Sequence, residues 1–140
     1  MESKVSAKNL AISPKHAMEI CTFIRSKNIQ KARKQLELVL KKEVAVPAKR
    51  FKKTRAHRKG RLSSGFYPQK ATKQILELLD SLEANAQGKG MNVNSLIITK
   101  AVANRASRPW HFGRQRGIKM KRAHVELVAE EEKQPKKEKK

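Results

Sequence analysis

Two long stretches of this 140-residue chain contain no acidic residue, and they limit how the chain can fold. The first stretch lies between Glu43 and Glu77, and the second lies between Glu83 and Glu126. Ten of the 34 lysines and arginines fall in the first stretch and nine fall in the second. Because like charges repel one another in a compact body, these stretches need extended positions or a polyanion that neutralises them.

The overall charge indicates the class of partner. The chain has 34 Lys and Arg residues against 12 Asp and Glu residues, a formal net charge of +22, so nucleic acid is the expected polyanion. A membrane surface is the other candidate, but there is no run of the roughly 18 apolar residues that would span a bilayer. The first residues, "MESKVSAKNLAIS", also lack the hydrophobic segment of a signal peptide. We therefore expect a soluble, intracellular protein without a membrane partner.

Catalytic and metal-binding chemistry finds little support in the sequence. Cys21 is the only cysteine and lies among apolar residues in "MEICTFI", which predicts a buried hydrophobic side chain and excludes a cysteine-based metal site. The four histidines are scattered and have no carboxylate pair or ligand spacing around them. We expect no catalytic residue, metal, cofactor or small-molecule substrate. A metal-independent nuclease that uses His57 or His111 beside a lysine remains an alternative.

Three amphipathic helices are predicted from apolar residues at helical spacing. The first begins in "ISPKHAMEI", where Ser13 can cap the helix and Pro14 can occupy its first position. The second begins after Asn28, and the third runs from Pro68 to Gly88. The apolar stripes consist of Ala17, Ile20, Cys21 and Ile24 in the first helix, Ile29, Ala32, Leu36, Val39 and Leu40 in the second, and Ala71, Ile75, Leu78, Leu79, Leu82 and Ala86 in the third.

A long β-hairpin is predicted after the third helix. The segments "MNVNSLIITKAVA" and "IKMKRAHVELVA" are both typical of strands, which gives a hairpin over about 93–128 with its tip at about 104–117. Strands of about eleven residues reach about 36 Å, whereas a domain of about 130 residues has a radius of gyration near 14 Å. The distal part of the hairpin must then leave the body as an arm. Because an isolated ribbon is marginal in water, the arm needs an external scaffold.

Together these elements predict an α+β fold. We expect a small domain, residues 1–130, in which three amphipathic helices pack on a short antiparallel sheet and the long β-hairpin forms an arm. A basic loop over about 44–67 has no periodicity and should be extended between the second and third helices. The ending "EEEKQPKKEKK" is low in complexity and nearly free of apolar residues, so residues 131–140 are expected to form a disordered charged tail.

The hairpin tip carries the only tryptophan, and three interpretations of it stay open. Residues 104–117 can be a disordered surface loop. Trp110 can fold back as an anchor in the core, or it can stack on an unpaired base or a ribose. Arginine forks suit phosphate groups and lysines add point charge, so the arginines of the tip and of the basic loop are the candidate phosphate ligands.

The residues also resemble a known family. The matching segments are "ISPKHAMEI", "YPQKATKQILELLDSLEANAQGKGMNVNSLII" and "RPWHFGRQRGIKMKRAHVELV". In this order they are similar to the large-subunit ribosomal protein family that is numbered twenty-two in bacteria and seventeen in eukaryotes. The insert "VAVPAKRFKKTRAHRKGRLSSGFYP" resembles the archaeal and eukaryotic version rather than the compact bacterial one.

The resemblance implies a structural role in the cytoplasmic ribosome. Members of the family bind several domains of large-subunit ribosomal RNA (rRNA), contact neighbouring ribosomal proteins and contribute to subunit assembly. Their hairpin tip lines the exit tunnel and meets the nascent polypeptide. The implied rRNA-binding residues are Lys49, Arg50, Lys52, Lys53, Arg55, His57, Arg58, Lys59, Arg61, Arg105, Arg108, Arg114, Arg116, Lys119, Lys121, Arg122 and His124. The implied tunnel tip consists of Arg108, Pro109, Trp110, His111, Phe112, Gly113 and Arg114.

A second function class is a basic DNA-binding or chromatin protein that uses its first two helices as a helix-turn-helix. The link between these helices is short enough for that motif. However, Leu36 and Val39 give the second helix a core-like face, and Glu37 would oppose a phosphate. The basic residues concentrate outside the helices, which favours RNA bridging.

Overall fold

The chain folds into three helices and two antiparallel sheets, as a computed structural model that describes residues 1–53, 55–58 and 62–131 shows. The elements are β1 (Glu2–Leu10), α1 (Pro14–Ile24), α2 (Ile29–Leu40), β2 (Val46–Pro47), β3 (Gly65–Phe66), α3 (Gln69–Gly88), β4 (Leu96–Arg105) and β5 (Ala123–Glu131). The predicted α+β class is confirmed. Of the predicted tail, residues 132–140 lie outside the described residues.

The main sheet has the order β1-β5-β4, and both pairings are antiparallel. Its third strand, β1, was not predicted, because Val5 and Leu10 are the only large apolar side chains in "ESKVSAKNL". Short side chains let this strand lie close to α3 instead. The hydroxyl of Ser3 is fully buried and donates a hydrogen bond to the carbonyl oxygen of Leu82 at 3.1 Å.

The core lies between the three-stranded sheet and the helices. Alternate residues of β5, from Ala123 to Ala129, turn inward and are buried, as the pleat of a strand requires. The predicted helix stripes are buried too, except that Leu40 and Leu78 are only half-buried. Cys21 is buried as predicted, and this burial raises the pKa of its thiol to about 12.

The short link between α1 and α2 is hydrogen-bonded to the edge of the main sheet. The backbone N–H of Ser26 donates to the carbonyl of Ile98 at 2.8 Å, and the N–H of Ile98 donates to the carbonyl of Lys27 at 2.9 Å. Asn28 then caps α2 by accepting from the N–H of Gln30 at 2.9 Å. The link therefore holds the outer edge of β4 against α1, at the base of the hairpin.

Both strands of the hairpin are shorter than predicted. A 3₁₀ turn at Val93–Ser95 delays the start of β4, because the Asn92 side chain accepts from the N–H of Asn94 at 3.1 Å. β5 begins at Ala123 rather than near Ile118, since the run from Lys119 to Arg122 offers little apolar alternation for a sheet face. Residues 106–122, which we call the distal arm, join the two strands.

None of the helices in the described ranges is long and apolar enough to cross a lipid bilayer.

Candidate nucleic-acid interface

The basic loop is closed at its base by a small sheet. Val46 pairs with Phe66 and Pro47 pairs with Gly65, and the N–H of Ala48 donates to the carbonyl of Ser64 at 3.0 Å. The sequence predicts an extended loop here but not this pairing of its two ends. The ladder brings both ends of the loop to one point beside α1.

Glu19 of α1 holds the outgoing half of the basic loop. Its side chain is only 2% exposed, and its carboxylate accepts backbone N–H groups from Lys49 at 3.1 Å and from Arg50 and Phe51 at 2.8 Å each. A glutamate on a helix is ordinarily solvated or paired with a cation, and in the described part of the chain Glu19 is neither. The carboxylate fixes the backbone while the Lys49 and Arg50 side chains remain exposed to solvent.

The returning half of the basic loop packs on aromatic rings near the start of α1. The guanidinium carbon of Arg55 lies 4.2 Å from the ring centroid of Phe66, and its Nη2 lies 2.7 Å from Nε2 of His16. Arg58 lies 5.1 Å from the ring centroid of Tyr67. Cations over aromatic faces are held by the ring quadrupole, so these two arginines have defined positions before any ligand binds.

The surroundings of His16 destabilise the protonated, positively charged form of its imidazole. Burial lowers the pKa of its imidazole below the ordinary value of 6.5, and the charges of Arg55 and Lys121 lower it further. Because a guanidinium can only donate, Nε2 of His16 is the acceptor and the proton of the neutral ring lies on Nδ1. Lys121 belongs to the distal arm, so the two acid-free stretches meet at this histidine.

Lowering the pH from 7 towards 5 should reduce the free energy of unfolding more for the wild type than for His16→Gln. The unfolded chain takes up a proton on His16 at higher pH than the folded chain does. The stability linked to the neutral ring is thus complete above 6.5 and is lost as the pH falls through the lower folded pKa. Urea denaturation at several pH values measures the difference, and parallel pH profiles for the two proteins would contradict the assignment.

The distal arm continues the hairpin with irregular pairing. Three backbone hydrogen bonds cross between its strands. The N–H of Ala106 donates to the carbonyl of Arg122 at 3.2 Å, that of Met120 to the carbonyl of Pro109 at 2.8 Å, and that of His111 to the carbonyl of Ile118 at 2.8 Å. The strands turn through a short 3₁₀ segment at Gly113–Gln115, where Gly113 has a φ of 68° that favours glycine. The arm is therefore a defined ribbon outside the main sheet.

The tip of the arm exposes apolar rings. Trp110 is 60% exposed and Phe112 is 76% exposed, so the interpretation of Trp110 as a core anchor is wrong. The ammonium of Lys119 lies 4.4 Å from the Trp110 ring centroid, and the rings of His111 and Phe112 stack at 4.8 Å. The tip presents flat aromatic faces next to positive charge, which is a surface suited to stacking on bases.

Most predicted site residues are accessible for binding. The exposed ones are Lys49, Arg50, Lys52, Lys53, His57, Arg58, Arg105, Arg108, Arg114, Arg116, Lys119 and Lys121. Arg55, Arg122 and His124 are half-buried. Nδ1 of His124 accepts from the N–H of Asn9 at 3.2 Å, so this ring already has a partner within the protein. Lys59 and Arg61 lie outside the described residues.

Two lysines that were not selected from sequence also lie at this surface. Lys15, in the first turn of α1, shares a cleft with Arg105 and Arg108, and Lys70, in the first turn of α3, shares a second cleft with His16 and Lys121. Neither helix has an acidic residue in its first turn. A helix N-terminus favours anions, and here no acidic side chain of the helix itself occupies that position. The lack of an acidic residue in the first turn was therefore the sequence signal that could have identified these two lysines.

The acidic side chains that form ion pairs lie away from the basic loop and the distal arm. Arg33 of α2 bridges Asp80 and, at 3.3 Å, Glu83 of α3. Glu126 lies between Lys100 at 3.0 Å and Lys4 at 3.2 Å, and hydrogen bonds from Lys100 and then Lys4 lower the pKa of its carboxyl group. Among the described residues, none of the ion pairs involves the distal arm or the basic loop, so the cations there are left for an external anion.

Within the described part of the chain, no three His, Cys, Asp or Glu side chains are grouped so that they could hold a metal ion.

Comparison with known proteins identifies the family. A family model described as ribosomal protein L22p/L17e matches residues 5–130. The chain belongs to this family. The family predicted from the quoted segments is thereby confirmed, and the similar proteins show that this L22p/L17e protein is of the archaeal type.

Relatives of this L22p/L17e protein match it over most of their length. The large ribosomal subunit protein uL22 of Archaeoglobus fulgidus is 44% identical over 135 residues, which cover 91% of this chain and 87% of the relative. The protein of the same name from Cenarchaeum symbiosum is 40% identical over 134 residues, which cover 91% of this chain and 88% of the relative. The protein of the same name from Methanopyrus kandleri is 37% identical over 137 residues, which cover 92% of this chain and 86% of the relative.

Proposed function

We propose that this protein is a structural constituent of the large ribosomal subunit in the cytoplasm, and that it acts by binding and bridging rRNA segments. In this proposal residues 1–130 form a single rRNA-binding domain. The observation that carries it is the meeting of the basic loop and the distal arm beside His16, while the ion pairs of Asp80, Glu83 and Glu126 lie on other surfaces. The relatives are named as large ribosomal subunit proteins, which supports the same assignment.

Charge neutralisation is the proposed mechanism. Each phosphate that contacts a lysine or arginine releases condensed counterions, which favours binding. The basic loop and the distal arm are separate basic segments of the chain that lie side by side at His16, so each can contact a different RNA strand. Strands that repel one another would then be held together by one protein, which is a role in assembly and not in catalysis.

The tip of the distal arm is the part that we propose lines the nascent-peptide exit tunnel. Arg108 and Arg114 would hold rRNA phosphates there, and the exposed rings of Trp110 and Phe112 would stack on bases or meet the nascent polypeptide. The exposure of these rings supports the proposal, since 60% and 76% of their surfaces have no cover within the described protein. The body would contact neighbouring ribosomal proteins.

The alternative of a helix-turn-helix DNA reader has less support. The link between α1 and α2 is hydrogen-bonded to β4, and Arg33 of the second helix is paired with Asp80 and Glu83. Its apolar face, including Leu36 and Val39, is buried in the core. The family that the chain belongs to also favours the ribosomal role.

Binding of purified protein to large-subunit rRNA fragments and to random DNA duplex at matched salt tests the proposal. We expect tighter binding to rRNA, with a log-log salt slope of roughly −0.7 to −0.9 for each phosphate contact. Equal or tighter binding to the DNA would refute the rRNA assignment. In cells, the protein should sediment with the large subunit through a high-salt wash, and crosslinks from Trp110 and Arg114 would identify the RNA near the tip.

A further inference from the structure

A cleft of about 590 Å³ lies between the distal arm and the first turns of α1 and α3. His16 and Lys70 line it from the helices, and His111, Lys119 and Lys121 line it from the arm. Its volume is within the range of about 300–1,000 Å³ that is usual for small-molecule sites. The cleft is therefore a groove of ligand size that is open to solvent.

We propose that this cleft holds one unpaired nucleotide of the bound RNA, with its base inside and its phosphate at the cationic rim. The inference rests on the proposed rRNA-binding function and adds a specific site to it. An RNA duplex is too wide to enter such a cleft, whereas a nucleotide from a loop or bulge can be turned out of its stack. The site would therefore select for an unpaired position.

The lining matches the chemistry of a nucleotide. Its apolar part consists of the half-buried Met120 together with Ile12 and Pro68, which are themselves buried, so Met120 offers the main apolar contact to a base. Its cations include Lys70, Lys119 and Lys121, and none of the described residues that line the cleft is acidic. A flat group with apolar faces and an attached negative charge satisfies both parts of the lining, while inorganic phosphate satisfies only the cationic part.

His16 adds directionality to this lining. Arg55 donates to Nε2 at 2.7 Å, so the ring is fixed and Nδ1 carries its proton. A neutral, anchored imidazole can donate a hydrogen bond from Nδ1 to the edge of a base without repelling Lys121. Since Lys121 and His16 come from the arm and from α1, the cleft exists only when the arm is folded against the body, which couples the site to the arm's position.

NMR titration of the full-length protein tests the cleft directly. The probes are adenosine 5′-monophosphate, uridine 5′-monophosphate, inorganic phosphate, adenosine and a pentaglutamate peptide. We expect the mononucleotides to shift the resonances of His16 and Met120 at concentrations at least about tenfold lower than phosphate or adenosine, because only they use both parts of the lining. Equal effects of phosphate, or tighter binding of the peptide, would overturn the proposal.

Two pairs of variants separate the cleft from the general charge. Ala11→Trp fills the cleft from an exposed position without changing charge, and Ala84→Trp is its control on the exposed face of α3. Lys70→Ala removes a rim cation, and Lys73→Ala is its control one turn along α3. We expect about tenfold weaker mononucleotide binding for Ala11→Trp and about threefold for Lys70→Ala, and no change for the controls.

Chemical probing of the bound rRNA distinguishes this inference from the proposed function. Wild-type protein should protect an unpaired nucleotide that becomes reactive with Ala11→Trp and stays protected with Ala84→Trp. If both variants bind rRNA with the wild-type footprint, the cleft proposal fails and the rRNA-binding function stands. If the wild type does not bind rRNA, the proposed function fails, and mononucleotide binding in the titration still judges the cleft by itself.

Discussion

Replacing Arg105, Arg108, Lys121 and Arg122 together with glutamine should lower the affinity for large-subunit rRNA by at least about 100-fold near physiological salt. These four residues line one cleft at the base of the distal arm, and among the residues that the structure describes no acidic side chain lines it. The loss of about four phosphate contacts should also make the log-log salt slope shallower by roughly 3. Equilibrium binding measured at several salt concentrations gives both quantities.

A control with the same change in net charge separates local contacts from the charge of the whole protein. The control variant replaces the exposed lysines Lys31, Lys34, Lys41 and Lys42 with glutamine. These lysines lie on or beside α2, away from the arm, so we expect less than about a fivefold loss of affinity through long-range attraction alone. Equal losses for the two variants would contradict the assignment of the RNA surface to the arm.

The secondary structure was predictable where a segment carries its own pattern. α3 was predicted from Pro68 to Gly88 and runs from Gln69 to Gly88. The prediction is close because the apolar stripe and the residues at the two ends of the helix indicate the same boundaries. β1 has only Val5 and Leu10 as large apolar residues, and its place in the sheet depends on β5 and on the contact of Ser3 with α3. No local pattern contains that information.

The candidate site was predictable in charge but not in shape. Among the described residues of the two acid-free stretches, Lys100 is the only cation that forms an ion pair, with Glu126. The cleft, by contrast, brings His16 together with Lys70 and Lys121, which are far apart in sequence. Its formation depends on how the arm leaves the sheet, and one-dimensional spacing does not determine that angle.

Glu19 shows a further limit of pattern-based prediction. A glutamate in a helix is ordinarily solvated or paired with a cation, and nothing in "HAMEICTF" indicates otherwise. Its actual partners are three backbone N–H groups about 30 residues later in the chain. Backbone donors have no sequence signature, so a buried carboxylate that binds them is visible only in the folded structure.

Replacing Glu19 with alanine should lower the free energy of unfolding by about 2–4 kcal/mol, because three backbone N–H groups lose a charged acceptor. Those donors belong to Lys49, Arg50 and Phe51, at the start of the basic loop. The freed loop should exchange its amide hydrogens faster and bind rRNA more weakly, although no basic residue has been removed. Urea denaturation and hydrogen exchange measure the two effects separately.

Two further variants test whether the carboxylate itself is responsible. Glu19→Gln keeps the size of the side chain and one acceptor oxygen, but its amide group meets an N–H donor, so we expect a loss of about 1–3 kcal/mol. Glu37→Ala removes an exposed glutamate from α2 and should change stability by no more than about 0.5 kcal/mol. If Glu19→Gln were as stable as the wild type, ionic anchoring of the loop would be wrong. If Glu19→Ala exchanged the amides of residues 49–51 at the wild-type rate, the loop would be held by β2 and β3 alone.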